Sequence, residues 1–346
     1  MKKKIQIAAG FALAAYLIWA LFKNTDWRAV GEALRDARPG WLALAFALVF
    51  VTFVTRVFRW GYIVRTAQPV SFRAMFGATQ IGFLANFTLP GRVGEVIRAL
   101  ALARLTRLTF SRCFAFVALD RVTDLVGLIA TLLITIVFFN PAEPIPLEDF
   151  GITIQPAFIR WGAISTGGAL LGIIACFVLL YVNKDLAMRI VDATLGRAAP
   201  GIGARLRGMV EQFADGMHIF KSAGDMARAV GWSLVTWAIG TACYFSVLQA
   251  FSIDAPWYTA VVVMAFLALA ISIPSTPGFV GPFHLAIVAA LMVVAPETNL
   301  DVAKAAALMA HLVNVIPVWI AGGVCLYTEN LGLFELRRES AHMAEE

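Results

Sequence analysis

The chain has 346 residues, 60% of them hydrophobic and only 14% charged, with a mean hydropathy of +0.79. Soluble domains carry about 25% charged residues, so this composition excludes a water-soluble fold and predicts an integral membrane protein. The formal charge of +6 requires no nucleic acid, because basic loops facing the cytoplasm account for it.

Apolar runs that reach or approach the ~20 residues needed to cross a bilayer lie at about 5–22, 41–64, 113–139, 158–182, 230–251 and 303–326. Lys2, Lys3 and Lys4 precede the first run as in a signal peptide. No convincing small-x-small cleavage site precedes Lys23, and a polytopic chain follows, so a retained first span is expected. Two further apolar regions, 72–104 and 257–295, are each interrupted by a Pro-Gly-x-Val-Gly pentad, starting at Pro90 and at Pro277. Proline lacks the N–H and glycine readily leaves helical dihedrals, so each pentad breaks a helix. Broken backbone survives in lipid only where it is buried in protein or lines a polar cavity. Matched breaks in matched halves predict a protein built on internal repeats. The hinge residues are Pro90, Gly91, Gly94, Pro277, Gly278 and Gly281.

Basic residues orient the spans. Lys2 to Lys4 place the amino terminus inside, and Arg56, Arg59, Arg65 and Arg73 mark the inner end of the second span. Arg104, Arg107 and Arg112 follow the first broken region on the same side. The loop 140–157 holds Glu143, Glu148 and Asp149 without Lys or Arg and is expected outside. Residues 183–229 are rich in Arg and Lys and return inside, as do Arg337 and Arg338 in the tail 327–346. The loop 23–40, with Lys23, Arg28, Arg35 and Arg38, departs from the rule while every later loop obeys it.

The expected fold is therefore an all-α polytopic membrane protein with six full transmembrane helices and two re-entrant broken-helix hairpins. They form two inverted repeats, residues 1–139 and 158–326, with hairpins at 72–104 and 257–295. Leu186, Ile190, Leu195, Leu206, Val210 and Phe213 predict an amphipathic helical linker within 183–229, broken near Pro200-Gly201. Trp41, Trp60, Trp161, Trp257, Tyr181 and Tyr327 stand near span ends and read as interfacial anchors. Cys113, Cys176, Cys243 and Cys325 occur singly and read as packing residues.

Charge inside an apolar span is costly and rarely faces lipid. If a helix restarts near Val93, then Arg92, Glu95 and Arg98 share roughly one face beside Asn86. One reading is an internal Arg–Glu fastening; the other is an anion site, with both arginines donating to phosphate. Asp120, Arg121 and Asp124 form a second cluster, with the aspartates four apart on one helical face. They form either a solvated interfacial turn or partners for Arg92 or Arg98. Ser275 and Thr276 offer hydroxyls at the second break, Pro282 suits a first helical position, and His284 follows. His311 and Asn314 stand three apart on the last span and could face the same cavity. No metal or cofactor motif accompanies them, and no nucleotide loop.

Residues 86–104 (NFTLPGRVGEVIRALALAR), 118–125 (ALDRVTDL) and 275–284 (STPGFVGPFH) resemble the flippase-like transmembrane domain of the lysylphosphatidylglycerol synthase family. The resemblance runs over about 5–330. It implies a lipid-translocating domain with inverted repeats and paired re-entrant helices, and its Pro-x-Arg-x-Gly-Glu-x-x-Arg pattern falls on Pro90, Arg92, Gly94, Glu95 and Arg98. Many relatives carry an acidic residue at the position of His284. The synthases add an aminoacyl-transferase domain for which about 20 residues remain here, so that catalysis is not expected. The resulting expectation is a flippase or scramblase for an anionic membrane lipid, in a bacterial inner membrane, with both termini cytoplasmic. The open alternatives are a membrane-embedded enzyme using Glu95, Asp120 or His284 as acid or base, and a lipid-binding assembly subunit. The oligomeric state is open, a homodimer included.

Overall fold

The computed structural model describes residues 2–66, 68–89, 92–141, 143–147, 152–182, 185–186, 189, 223–272 and 276–342. The helices are α1 (Lys2–Phe22), α2 (Trp27–Asp36), α3 (Pro39–Val64), α4 (Phe72–Thr88), α5 (Gly94–Thr106), α6 (Phe110–Phe138) and α7 (Pro156–Val182). After the loop come α8 (Ala223–Ala250), α9 (Thr259–Ser272), a short 3-10 turn (Pro277–Phe279), α10 (Pro282–Val294), α11 (Leu300–Thr328) and α12 (Leu333–His342). Most of the expected linker 183–229, together with Pro90 and Gly91, lies outside the described residues; from Ala223 onward it is helix α8.

Four described stretches are long and apolar enough to cross a membrane: Pro39–Val64, Phe110–Phe138, Gly224–Ala250 and Leu300–Thr328. Helices α1 and α7 add 21 and 27 residues. The limbs of the two broken hairpins are shorter. α4 has 17 residues and α5, α9 and α10 have 13 to 14. At 1.5 Å per residue each limb measures roughly 20–26 Å, short of the ~30 Å hydrocarbon thickness.

Three features depart from the expectation of long helices alone. Residues 27–36 in the basic loop form an amphipathic helix. Asp26 Oδ1 caps it, accepting from Arg28 N (2.9 Å) and Ala29 N (3.3 Å), and Val30 is buried on the inner face. The loop between α6 and α7 contains a two-stranded antiparallel ribbon, β1 (Ile145–Leu147) and β2 (Ile152–Ile154), with Pro146 opposite Thr153. Finally, α12 docks on α5 through fully buried Leu336 and a 2.6 Å Arg104–Glu339 ion pair. Leu336→Asp is expected to cost about 2–3 kcal/mol of docking and to expose α12 to limited proteolysis; unchanged cleavage would count against this packing.

Helix pairing follows a regular pattern. α3 packs along α8, α4 on α5 as α9 on α10, and α5 on α6 as α10 on α11. Likewise α4 meets α11 as α9 meets α6, and α3 meets α4 as α8 meets α9. Two large apolar cores result among the described residues, with a small third cluster of Ile129, Leu132 and Ala265. One gathers α8 to α11 with the first half of α3; the other gathers α4, α5, the second half of α3 and the start of α6.

Candidate functional site

The first break separates α4 from α5. Asn86, on the last turn of α4, turns its Oδ1 toward Gly94 N and accepts its hydrogen bond at 2.8 Å. One of the unpaired N–H groups of the restarting helix is thereby satisfied. The Asn86 amide nitrogen lies 3.4 and 3.5 Å from the Glu95 carboxylate oxygens. α4 and α5 approach so closely that a Cβ on Gly94 would sit 2.2 Å from Gly82 O. Arg92, in the break itself, takes a left-handed φ of 52°, a conformation that costs a non-glycine residue ~1–2 kcal/mol.

The second break is held by local bonds. Thr276 Oγ1 donates to Val280 O at 2.6 Å, and Gly278 and Gly281 have φ of 65° and 97°. His311 Nε2 donates to Gly278 O at 2.8 Å, while His284 Nδ1 lies 3.4 Å from Gly281 N and accepts from it. The two imidazoles pack 4.7 Å apart. Pro277 opens the 3-10 turn, and Ser275 lies outside the described residues. The two breaks touch: Phe87 meets Phe279 edge-on at 5.2 Å, and the Arg92 guanidinium lies 5.9 Å from the Phe279 ring.

A charged cluster lies beside this junction. Asp120 receives Arg59 Nε at 2.8 Å on one oxygen and Arg98 Nη1 at 2.6 Å on the other. Asp124 accepts from Arg59 Nη1 and, at 3.0 Å, from Trp237 Nε1. Its second oxygen faces Arg121 Nη1 at 3.6 Å and Arg56 Nη1 at 3.8 Å. Arg59 and Asp120 are fully buried, and Arg98 lies 3.7 Å over the Trp60 ring. No solvated interfacial turn is present here, and Trp60 is a wholly buried stacking partner instead of an interfacial anchor. Arg56 and Arg59, whose position near a span end reads as a topology signal, point into the bundle. Sequence reasoning did not assign them to the site. Their spacing of three, several residues inside α3 and next to Trp60, was the available signal.

A cavity of about 460 Å³ opens between the two cores. Asn86, Arg92, Glu95, Arg121, Asp124 and Asn314 line it, joined by Arg56, Trp237 and Tyr244. The rest of the wall is apolar, including Phe53, Phe83, Leu125, Leu128, Leu267 and Phe279. Arg98 and Asp120 are buried next to Asp124 and do not form the wall, while Thr276, His284 and His311 are engaged at the second break. Cys113, Cys243 and Cys325 are buried and unpaired. Among the described residues, no three His, Cys, Asp or Glu side chains gather as metal ligands.

Gly127 lies against the indole of Trp237, which lines the cavity. A Cβ there would fall 2.0–2.5 Å from the indole of Trp237. Gly127→Ala is therefore expected to displace Trp237 from Asp124, costing about 1–3 kcal/mol. Trp237 fluorescence and thermal unfolding in detergent would detect the change; an unaltered spectrum would refute it.

Long apolar helices, short broken limbs and a buried charged cluster define an integral, polytopic membrane protein. The chain belongs to the family described as the lysylphosphatidylglycerol synthase TM region, which matches residues 7–322. It is 26% identical to a protein named glycosyltransferase AglD from Haloferax volcanii, over 99% of this chain and 57% of that protein. It thus spans little more than half of that relative's length. It is also 24% identical to a UPF0104 membrane protein of Methanothermobacter thermautotrophicus, over 73% of this chain and 75% of that one.

Proposed function

We propose that this protein carries the headgroup of an anionic, phosphate-bearing lipid between the two leaflets of a cytoplasmic membrane, leaving the lipid chemically unchanged. The observation that carries this reading is the cavity's composition. Arginines, carboxylates and amides share its wall with aromatic and aliphatic side chains, which suits a charged headgroup that trails acyl chains. The barrier to lipid exchange is desolvation of the headgroup, and guanidinium donors replace water around phosphate. The pairing of α3 with α8, α4 with α9, α5 with α10 and α6 with α11 as equivalents supports two inverted repeats. On that reading six helices cross fully, two hairpins re-enter, and both termini face the cytoplasm. Asn86, Arg92, Glu95, Arg121, Asp124 and Asn314 line the path, with Thr276, His284 and His311 at the second break.

Leaflet exchange of labelled lipids in proteoliposomes tests this. Arg92→Ala is expected to slow exchange about 10–100-fold, the value of one charge-assisted hydrogen bond, with the folded fraction unchanged. No protein-dependent exchange of any lipid would overturn the proposal. The word glycosyltransferase in the Haloferax relative's name supports a second reading, transfer of a glycosyl group. Headgroup turnover by purified protein would move the assignment there.

A further inference from the structure

Resting on the translocation reading, we infer that the cavity selects a doubly charged phosphate headgroup, a phosphomonoester or pyrophosphate lipid, over phosphodiester and zwitterionic lipids. Among the described residues, five guanidinium groups, those of Arg56, Arg59, Arg92, Arg98 and Arg121, surround or back the cavity, against the three carboxylates of Glu95, Asp120 and Asp124. The excess is two positive charges. Ionisable groups within a membrane span are normally matched by one another, so a surplus of this kind calls for a counter-charge from outside the protein. Asp124 and Trp237 stand near the midpoints of α6 and α8, which places the surplus well inside the bundle.

The hydrogen bonding agrees with the charge count. Arg121 and Arg56 reach Asp124 only at 3.6 and 3.8 Å, beyond hydrogen-bond length. Both are held by charge without spending a donor on that carboxylate. Of the guanidinium groups that line the cavity, Arg121 has its Nε buried without a hydrogen-bond partner. Planar guanidinium forks match the oxygens of phosphate. A group of charge −2 cancels the surplus, whereas a phosphodiester of charge −1 leaves one cation uncompensated. A zwitterion brings its own ammonium into a site that is already positive. The apolar wall formed by Phe53, Phe83, Leu125 and Leu128 favours a lipid over a free phosphate.

Binding to the purified full chain in detergent at pH 8, where a phosphomonoester carries close to two charges, gives the test. The probes are phosphatidic acid, phosphatidylglycerol and phosphatidylcholine with identical acyl chains, beside inorganic phosphate, read by native mass spectrometry. Phosphatidic acid is expected to bind at least tenfold more tightly than phosphatidylglycerol. The preference should fall below threefold in Arg121→Gln and in Arg56→Gln, and persist in Arg121→Lys, which retains the charge and controls for folding. Equal binding of the two anionic lipids would overturn the inference, as would a preference that survives both Gln substitutions. Inorganic phosphate binding as tightly as phosphatidic acid would overturn its lipid half. Leaflet exchange, measured with the same lipids, separates the two claims. Selective binding without exchange sinks translocation alone, and exchange of all three lipids at one rate sinks the charge selection alone.

Discussion

Asp120→Ala is expected to destabilise the folded protein by about 3–5 kcal/mol, the cost of removing one partner from a buried ion pair. Asp120 is fully buried and bonds both Arg59 (2.8 Å) and Arg98 (2.6 Å). Without it, Arg98 loses its described carboxylate partner and Arg59 must depend on Asp124 alone. Neither guanidinium can reach water, because Arg59 is completely buried and Arg98 is pressed against the Trp60 ring. Breaking such a cluster is far more damaging than replacing it with apolar groups. Asp120→Ala combined with Arg98→Met should therefore recover a substantial part of the loss. Thermal unfolding in detergent reads both variants. Wild-type stability of Asp120→Ala, or no recovery in the double variant, would contradict the closed cluster described above.

Gly94→Ala is expected to cost about 3 kcal/mol, at the upper end for overpacking a tight interface. The added methyl would lie 2.2 Å from Gly82 O and 2.4 Å from Asn86 Cγ. The first of these is backbone, so no rotamer change relieves it; α4 and α5 must separate. Separation also stretches the 2.8 Å bond from Gly94 N to Asn86 Oδ1, and thereby moves Asn86 and Glu95 out of the cavity wall. Stability and lipid exchange should fall together. Gly323→Ala is the control, since its Cβ would meet nothing within 4 Å and should stabilise the helix by ~0.5–1 kcal/mol. Indistinguishable behaviour of the two variants would rule out the close approach of α4 to α5.

Much of this architecture was legible in the residues. Both helix breaks follow from the local chemistry of proline and glycine, and helices Phe72–Thr88 and Gly94–Thr106 flank the first of them within the region 72–104. Long apolar runs announce spanning helices because lipid demands that the backbone bond to itself. The helix at 27–36 was also available in principle, since Asp26 is a good cap and Val30, Ala33, Leu34 and Ala37 recur at helical spacing. Its dense charge made it read as a loop.

The sequence by itself determined the class of protein, the places where its helices break, and the presence of Arg92, Glu95, Arg98, Asp120 and Asp124 within apolar surroundings. Only the tertiary structure decided how those charges are shared. Arg59 meets Asp120 and Asp124 across 61 and 65 residues of chain, and Trp237 meets Asp124 across 113. A helical pattern says which residues share a face, not which neighbouring helix that face meets. For the same reason His311 looked available to a cavity until packing placed it against the carbonyl of Gly278, 33 residues away. Charge pairing inside a bundle depends on the rotation and neighbours of each helix, and those are set by packing of the whole chain.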